Sequence, residues 1–407
     1  MRYKKPNIFC YRLAQAVSFV VAKIIFKRKF IRNEIKREKG PFVVIANHQA
    51  AYDFVNLIGA RKEPMTFVIS NSFYSSLPIK GFFDKLGVIP KQQFQTTVKD
   101  MKNIKAVIDE GKVLVIYPAG LMCEDGVSTP IPSATYKFLK WLGVDVYVAK
   151  TSGTYFAMPK WAKGMRAGKT YMDIYKLFSA EELKNIDVSE IKEKTDEALL
   201  FDAYREQEEK RVVYSKKGNV EGLENVLYMC PHCKAEFAVK VKHSNILYCE
   251  KCGYEQYSDE YSLLHKKSSI GEEIRYVSDW SKFIYNNVKE QIKKGELTQL
   301  VDDTIIKMID NKRNKFREVG KGRVTLNKDG FYLNGIINGQ EAQIFASIAG
   351  IPTLPFSPGR YFEIQNGDII YRCVLNDGKQ AMKFINMVKS FYELSREEVN
   401  YGEKATV

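Results

Sequence analysis

Histidine is scarce: four in 407 residues. Any imidazole chemistry must therefore centre on very few positions. Long apolar runs are missing too. The longest candidate, Leu13–Ala22, is interrupted by Lys23, well short of the roughly 20 residues a bilayer span needs. No small-residue cleavage site follows that run, so no secretory signal is expected. Cysteine is sparse outside two C-x-x-C pairs, with seven in all. That usage excludes a disulfide framework and fits a reducing compartment. The absence of repeats and low-complexity tracts excludes a solenoid or array. No run of basic residues interleaved with aromatics appears, and nucleic acid is not an expected partner.

Basic charge, by contrast, is plentiful. The chain carries a formal +15, and residues 1–40 hold twelve Lys or Arg against Glu34 and Glu38, so +10 of the excess lies there. The same segment reads IFCYRLAQAVSFVVAKIIF followed by KRKFIR. An apolar helix flanked by cations suits an anionic lipid surface, where each Lys or Arg contributes on the order of 1 kcal/mol. Residues 1–40 are accordingly expected to form an amphipathic membrane-associating segment, with the protein peripheral on the cytoplasmic face of a membrane.

Short β-branched runs at 41–47, 65–70, 113–117 and 144–150 alternate with helical patterns near 73–86, 94–110 and 133–142. This alternation predicts an α/β domain over 41–215, a mostly parallel sheet flanked by helices. In such sheets function gathers where strands end. Two such ends are Asn47-His48 and Pro118-Ala119-Gly120. Residues 180–215 read as charged helices. Residues 259–318 read as a helical connector, with Trp280 and Phe283 on an apolar face. From 319 to 400, turn signals at Asn338-Gly339, Asn366-Gly367 and Asn376-Asp377-Gly378 punctuate short alternating strands before a helix at 379–394. The pattern predicts a β-rich module closed by a helix, similar in topology to a pleckstrin-homology module.

Cys230, Cys233, Cys249 and Cys252 give C-x2-C-x15-C-x2-C. Each pair sits on a turn that aims two thiolates at one ion, and the intervening residues can form a hairpin. Four thiolates close a tetrahedral shell, so a structural Zn2+ in a zinc ribbon over 224–258 is expected.

Asn47-His48-Gln49-Ala50-Ala51-Tyr52-Asp53 is an H-x4-D pattern. A neutral imidazole can take a proton from an alcohol that attacks a thioester, and a carboxylate on the other ring nitrogen fixes the tautomer. The pattern follows an apolar strand and precedes a helix, which brings residues five apart together. Leu86-Gly87-Val88-Ile89-Pro90 and Tyr117-Pro118-Ala119-Gly120-Leu121-Met122 follow in order.

This order of blocks resembles the glycerolipid acyltransferases, the group containing the lysophosphatidate acyltransferases, over about residues 40–175. The resemblance implies a fatty-acyl transfer from acyl-ACP or acyl-CoA to the hydroxyl of a lysolipid acceptor, in phospholipid biosynthesis. It implies His48 as general base and Asp53 as its orienting partner, with substrate contacts at Asn47, Lys91, Gln93, Pro118, Ala119 and Gly120. Backbone N–H groups around Gly120 become candidates for the oxyanion site, because glycine permits close approach. Three positions depart from the family pattern: Gln93 and Met122 replace Arg, and Ala119 replaces Glu. Asn71 stands where the family often has Lys. Those basic residues are thought to hold the acceptor's phosphate. The departures also motivate the rival expectation of a membrane adaptor acting through its zinc ribbon and C-terminal module.

Overall fold

The computed structural model describes residues 3–77, 79–93, 97–310 and 313–404. The chain divides into two compact units, residues up to 160 with 164–215, and 161–163 with 216 onward.

The first unit runs α1 (Ile8–Ile24), β1 (Lys29–Asn33), β2 (Phe42–Ala46), α2 (Asp53–Ile58), β3 (Met65–Ser70), α3 (Asn71–Ser75), α4 (Lys80–Lys85), β4 (Ile89–Lys91), α5 (Val98–Asp109), β5 (Val113–Ile116), α6 (Ala134–Leu142), β6 (Asp145–Ser152), α7 (Thr154–Ala157), β7 (Tyr171–Phe178), α8 (Ala180–Asn185), α9 (Val188–Leu199) and α10 (Ala203–Lys210). Its sheet has the order β1-β7-β6-β2-β5-β3-β4. Strands β2 to β6 are parallel, and β7 runs antiparallel to β6. The expected α/β sheet is thus present.

Its strands read as unbroken apolar runs because both faces are covered. In register, Phe42 pairs with Val113 on β5 and Asp145 on β6. Alternation then sends Val43, Ile45, Leu114 and Ile116 to one face, under Ile104 of α5 and Leu139 of α6. Phe42, Val44, Val113 and Val115 go to the other face, against Tyr11 of α1 and Ile58 of α2. Local signals start and stop the covering helices. Thr97 and Asp100 form a capping box on α5, and Gly143, at φ +62, ends α6.

Residues 1–40 differ from the expected appended segment. Beyond α1, β1 pairs in parallel with β7 at the sheet edge, and Phe26 and Ile35 are buried. This stretch is part of the domain because Tyr11, Phe30 and Ile35 pack into its core. The helical pattern at 73–86 is two short helices rather than one.

The second unit begins with an antiparallel ribbon of β8 (Val239–Lys242), β9 (Ile246–Cys249), β10 (Glu255–Ser258) and β11 (Leu264–Lys266), in the order β11-β10-β9-β8. Helix α11 (Val277–Lys293) follows, and Trp280 Nε1 donates to the Met229 carbonyl at 2.8 Å. Then come β12 (Leu300–Asp310), β13 (Lys315–Leu326), β14 (Gly330–Ile337), β15 (Gln340–Ser347), β16 (Phe356–Ser357), β17 (Tyr361–Asn366), β18 (Ile369–Leu375) and α12 (Ala381–Lys404). These seven strands form one antiparallel sheet, closed by α12. The helical reading of 259–318 holds only over α11. Asp302, Thr304 and Ile306 are buried while Val301 and Asp303 are exposed, a period of two. Cross-strand pairing with β13 and β18 overrides the helix-friendly lysines and arginines there.

The four ribbon cysteines converge. Their sulfurs all lie within 4.8 Å of one another, with Cys230–Cys252 and Cys233–Cys249 each 3.7 Å apart. A tetrahedral shell with bonds of about 2.3 Å has sulfur–sulfur edges of about 3.8 Å. Turns closed by Lys234 N–H to the Cys230 carbonyl and Gly253 N–H to the Cys249 carbonyl, both 3.0 Å, set the pairs. The donor set fits one metal ion.

In the C-terminal sheet, Phe384 of α12 lies 4.9 Å from the Phe362 ring and 6.2 Å from the Phe331 ring, all three buried. Truncating Phe384→Ala removes the helix's ring from this trio. It is expected to lower stability by about 3–5 kcal/mol, measured by urea denaturation with tryptophan emission as the readout.

Candidate active site

His48 follows β2, at the C-terminal edge of the parallel strands. Asp53 opens α2 seven residues after the strand ends. The chain between them folds back so that one carboxylate oxygen is held three ways. Asp53 Oδ2 accepts from Gln49 N–H at 2.7 Å and Ala50 N–H at 2.9 Å, and lies 2.9 Å from His48 Nδ1. Asp53 is 1% exposed, whereas the His48 side chain is 20% exposed. A carboxylate only accepts, so the imidazole proton resides on Nδ1 and Nε2 carries the lone pair.

Beneath the imidazole lies Tyr117, its ring centroid 4.5 Å away. Burial, and then the Asp53 charge, push the Tyr117 hydroxyl well above its ordinary range, so it stays a neutral phenol. Tyr117 escapes a reading of the sequence for chemistry because it looks like the last residue of an apolar strand. Gln49 was also missed. Fully buried, its Oε1 accepts from Thr154 Oγ1 at 3.1 Å and Tyr155 N–H at 3.2 Å, which pins the loop to α7.

The expected substrate contacts fall into two groups. Lys91, Gln93, Pro118 and Gly120 line, with His48, a cavity of about 620 Å³ at the strand ends. Gln93 Nε2 donates to the Gly120 carbonyl at 2.6 Å, bracing the Tyr117–Gly120 turn. Burial lowers the Lys91 ammonium below its ordinary range, with Asp100 opposing that shift. Asn47 and Ala119 are absent from the cavity lining. Asn47 instead gives its Nδ2 to the Thr151 carbonyl and accepts from the Thr151 N–H, both at 2.7 Å. It clamps the end of β2 to β6, and its amide reproduces a strand's hydrogen bonds where pairing ends. Gly120, at φ +71, spends its own N–H on the Tyr117 carbonyl at 2.9 Å. An oxyanion role at that amide is therefore contradicted, because the turn already uses the donor. The next amides along, Leu121 and Met122, belong to residues that line the cavity.

Residues 27–159 match the family model described as Acyltransferase. The similarity to that family is confined to this stretch of the first unit. A solved structure with similarity is the 1-acyl-sn-glycerophosphate (LPA) acyltransferase PlsC from Thermotoga maritima. It is 16% identical, with 50% of this chain and 78% of that chain covered and a TM-score of 0.40. No curated protein matches the chain. The matched residues contain His48, Asp53 and most of the cavity wall.

The Asn47 clamp can be tested directly. Asn47→Ala strands the buried Thr151 N–H and carbonyl without partners, and is expected to cost about 1–3 kcal/mol of stability. Urea melts of the two proteins measure this; an unchanged midpoint would return Asn47 to a substrate-contacting role.

Proposed function

We propose that the protein transfers a fatty-acyl group from a thioester carrier, acyl-ACP or acyl-CoA, to the hydroxyl of a lysophospholipid-type acceptor. One observation carries the reading: the His48–Asp53 pair opens into a cavity whose remaining wall is overwhelmingly apolar. His48 Nε2 takes the acceptor's hydroxyl proton while that oxygen attacks the thioester carbon. The C–O bond forms, the C–S bond breaks, and the proton passes from His48 to the leaving thiolate. Asp53 holds the tautomer and stabilises the imidazolium between these transfers. The amides of Leu121 and Met122 are the proposed donors to the carbonyl oxygen. Lys91 is the proposed partner for an anionic head group, since a partly desolvated ammonium gains most from a charge-assisted hydrogen bond.

The reading also places the protein on a lipid surface. Along α1, Phe9, Leu13, Val17, Val20 and Ile24 form an exposed stripe, with Phe9 76% exposed, while Tyr11, Ser18 and Ala22 face the domain. Exposed Lys4, Lys23, Lys27 and Lys29 flank it. Arg28 is withdrawn from that cluster, its guanidinium donating to the Asn56 carbonyl. Among the described residues no helix is long and apolar enough to cross a membrane. An in-plane helix with an apolar stripe and cationic flanks suits anionic lipid.

The metal proposed for the ribbon is zinc, since four thiolates at these separations match its structural sites and leave no open position for chemistry. The purified chain is expected to contain one zinc by elemental analysis, and Cys233→Ser to lose it with a lowered melting temperature. Iron in place of zinc, or a full zinc complement in the variant, would overturn the assignment.

The enzyme assay pairs labelled acyl-ACP or acyl-CoA with a panel of lysolipids on anionic and neutral vesicles. His48→Ala is expected to lower turnover by about 10²–10⁴-fold, with faster turnover on the anionic vesicles. A folded, metal-loaded protein with no turnover on any acceptor favours the membrane adaptor instead. Equal rates on both vesicle types would remove the anionic-surface element.

A further inference from the structure

The cavity at His48 is not confined to one side of the sheet. Strand β3 shows this residue by residue. Phe67 and Ile69 belong to the core between the sheet and α1–α2, Val68 to the core beneath α5–α6, and all three line the same cavity. The end of β5 repeats the pattern, with Ile116 on the α5–α6 side and Tyr117 on the α1–α2 side. A space bounded by alternate residues of one strand must wrap around that strand's end. The cavity therefore has two apolar arms. One is walled by Tyr11, Phe54, Ile58, Phe83 and Val88; the other by Met101, Ile104, Thr135, Phe138 and Trp141. His48 and Tyr117 sit at the strand ends, where the arms join.

A single acyl chain needs one apolar slot. Acyl transfer onto a lysolipid brings two chains to one base, the donor's and the acceptor's. Resting on the acyl-transfer reading above, we propose that the cavity holds both chains at once, with the acceptor's chain in the arm beside α1 and the donor's in the arm beside α6. Each chain then leaves solvent on its own face of the sheet, and the reacting hydroxyl and thioester carbon meet at His48. The assignment follows from what borders each arm. Tyr11 is on the inner side of α1, whose outer stripe is exposed and apolar, so a lipid-borne acceptor reaches that arm from the lipid surface. The other arm is bordered by exposed Lys137 and by Trp141, 48% exposed. A cation at that mouth suits a water-borne, anionic thioester carrier.

Equilibrium dialysis of the full chain against labelled dodecanoate, below its micelle-forming concentration, counts the chains without any need for turnover. Two saturable chains are expected for the wild type, and one each for Val88→Trp and Thr135→Trp, which fill the separate arms. One chain lost to both variants, or no saturable chain in the wild type, would overturn the proposal. In the turnover assay, Val88→Trp is expected to shift preference toward shorter acceptors and Thr135→Trp toward shorter donors, with kcat/KM for long chains falling about 10-fold or more. Phe83→Ala and Phe138→Ala enlarge the same arms, and shifts toward longer acceptors and longer donors respectively are expected. Both members of a pair acting on one substrate, or the two assignments exchanged, would also overturn it. Absent turnover with any thioester would refute the acyl-transfer reading while the dialysis count still decides the number of chains.

Discussion

The Asp53 carboxylate oxygen that accepts from Gln49 N–H, Ala50 N–H and His48 Nδ1 sets the geometry of the whole site. A buried carboxylate is costly unless its lone pairs are met, and here two backbone donors and an imidazole meet one oxygen. Those bonds fix the loop between β2 and α2 as a tight turn. They also lock the ring against Tyr117 and decide which nitrogen is basic. The loop is itself tied down from outside. Asn47 clamps its start to Thr151, Gln49 pins its middle to α7, and Cys123 N–H reaches the His48 carbonyl at 3.3 Å. The proposed general base thus rests on sheet and helix, which is what pre-organised proton transfer requires.

The second constraint is the sheet's own alternation. Because successive side chains point to opposite faces, a parallel sheet covered on both sides gives two apolar layers and one common rim at the strand ends. A cavity at that rim inherits walls from both layers. The same geometry that stabilises the domain therefore supplies the walls of the proposed two-chain site. The departures at Gln93, Ala119 and Met122 fit into this picture locally. Gln93 is committed to bracing the Gly120 turn, and Met122 adds apolar wall where the family pattern has a cation. Lys91 is the cation that remains among the cavity residues of β4.

The second unit follows a different principle. Its ribbon is small, and the convergence of four cysteines offers a candidate metal site whose cross-link would add to apolar burial. Trp280 bridges this ribbon to α11 through the Met229 carbonyl, one residue before Cys230. The larger sheet and α12 are held by ordinary aromatic packing around Phe384.

Local sequence alone determined the dyad, the four thiolates and the alternation of strands and helices in the first unit. Each is a short-range pattern whose spacing already dictates geometry: five residues across a strand-to-helix turn, two between paired thiols, two or 3.6 along an element. The later helix and strand boundaries were less legible, as 300–310 shows, because pairing with distant β13 and β18 outweighed local preference. Only the tertiary structure turned Asn47 from a substrate contact into a clamp, committed the Gly120 amide to its turn, and brought Tyr117 under the imidazole. The cavity was equally invisible in sequence. Its wall is drawn from residues spread between Tyr11 and Trp141, and whether an apolar side chain lines a void or fills a core depends on what packs opposite it across the folded chain.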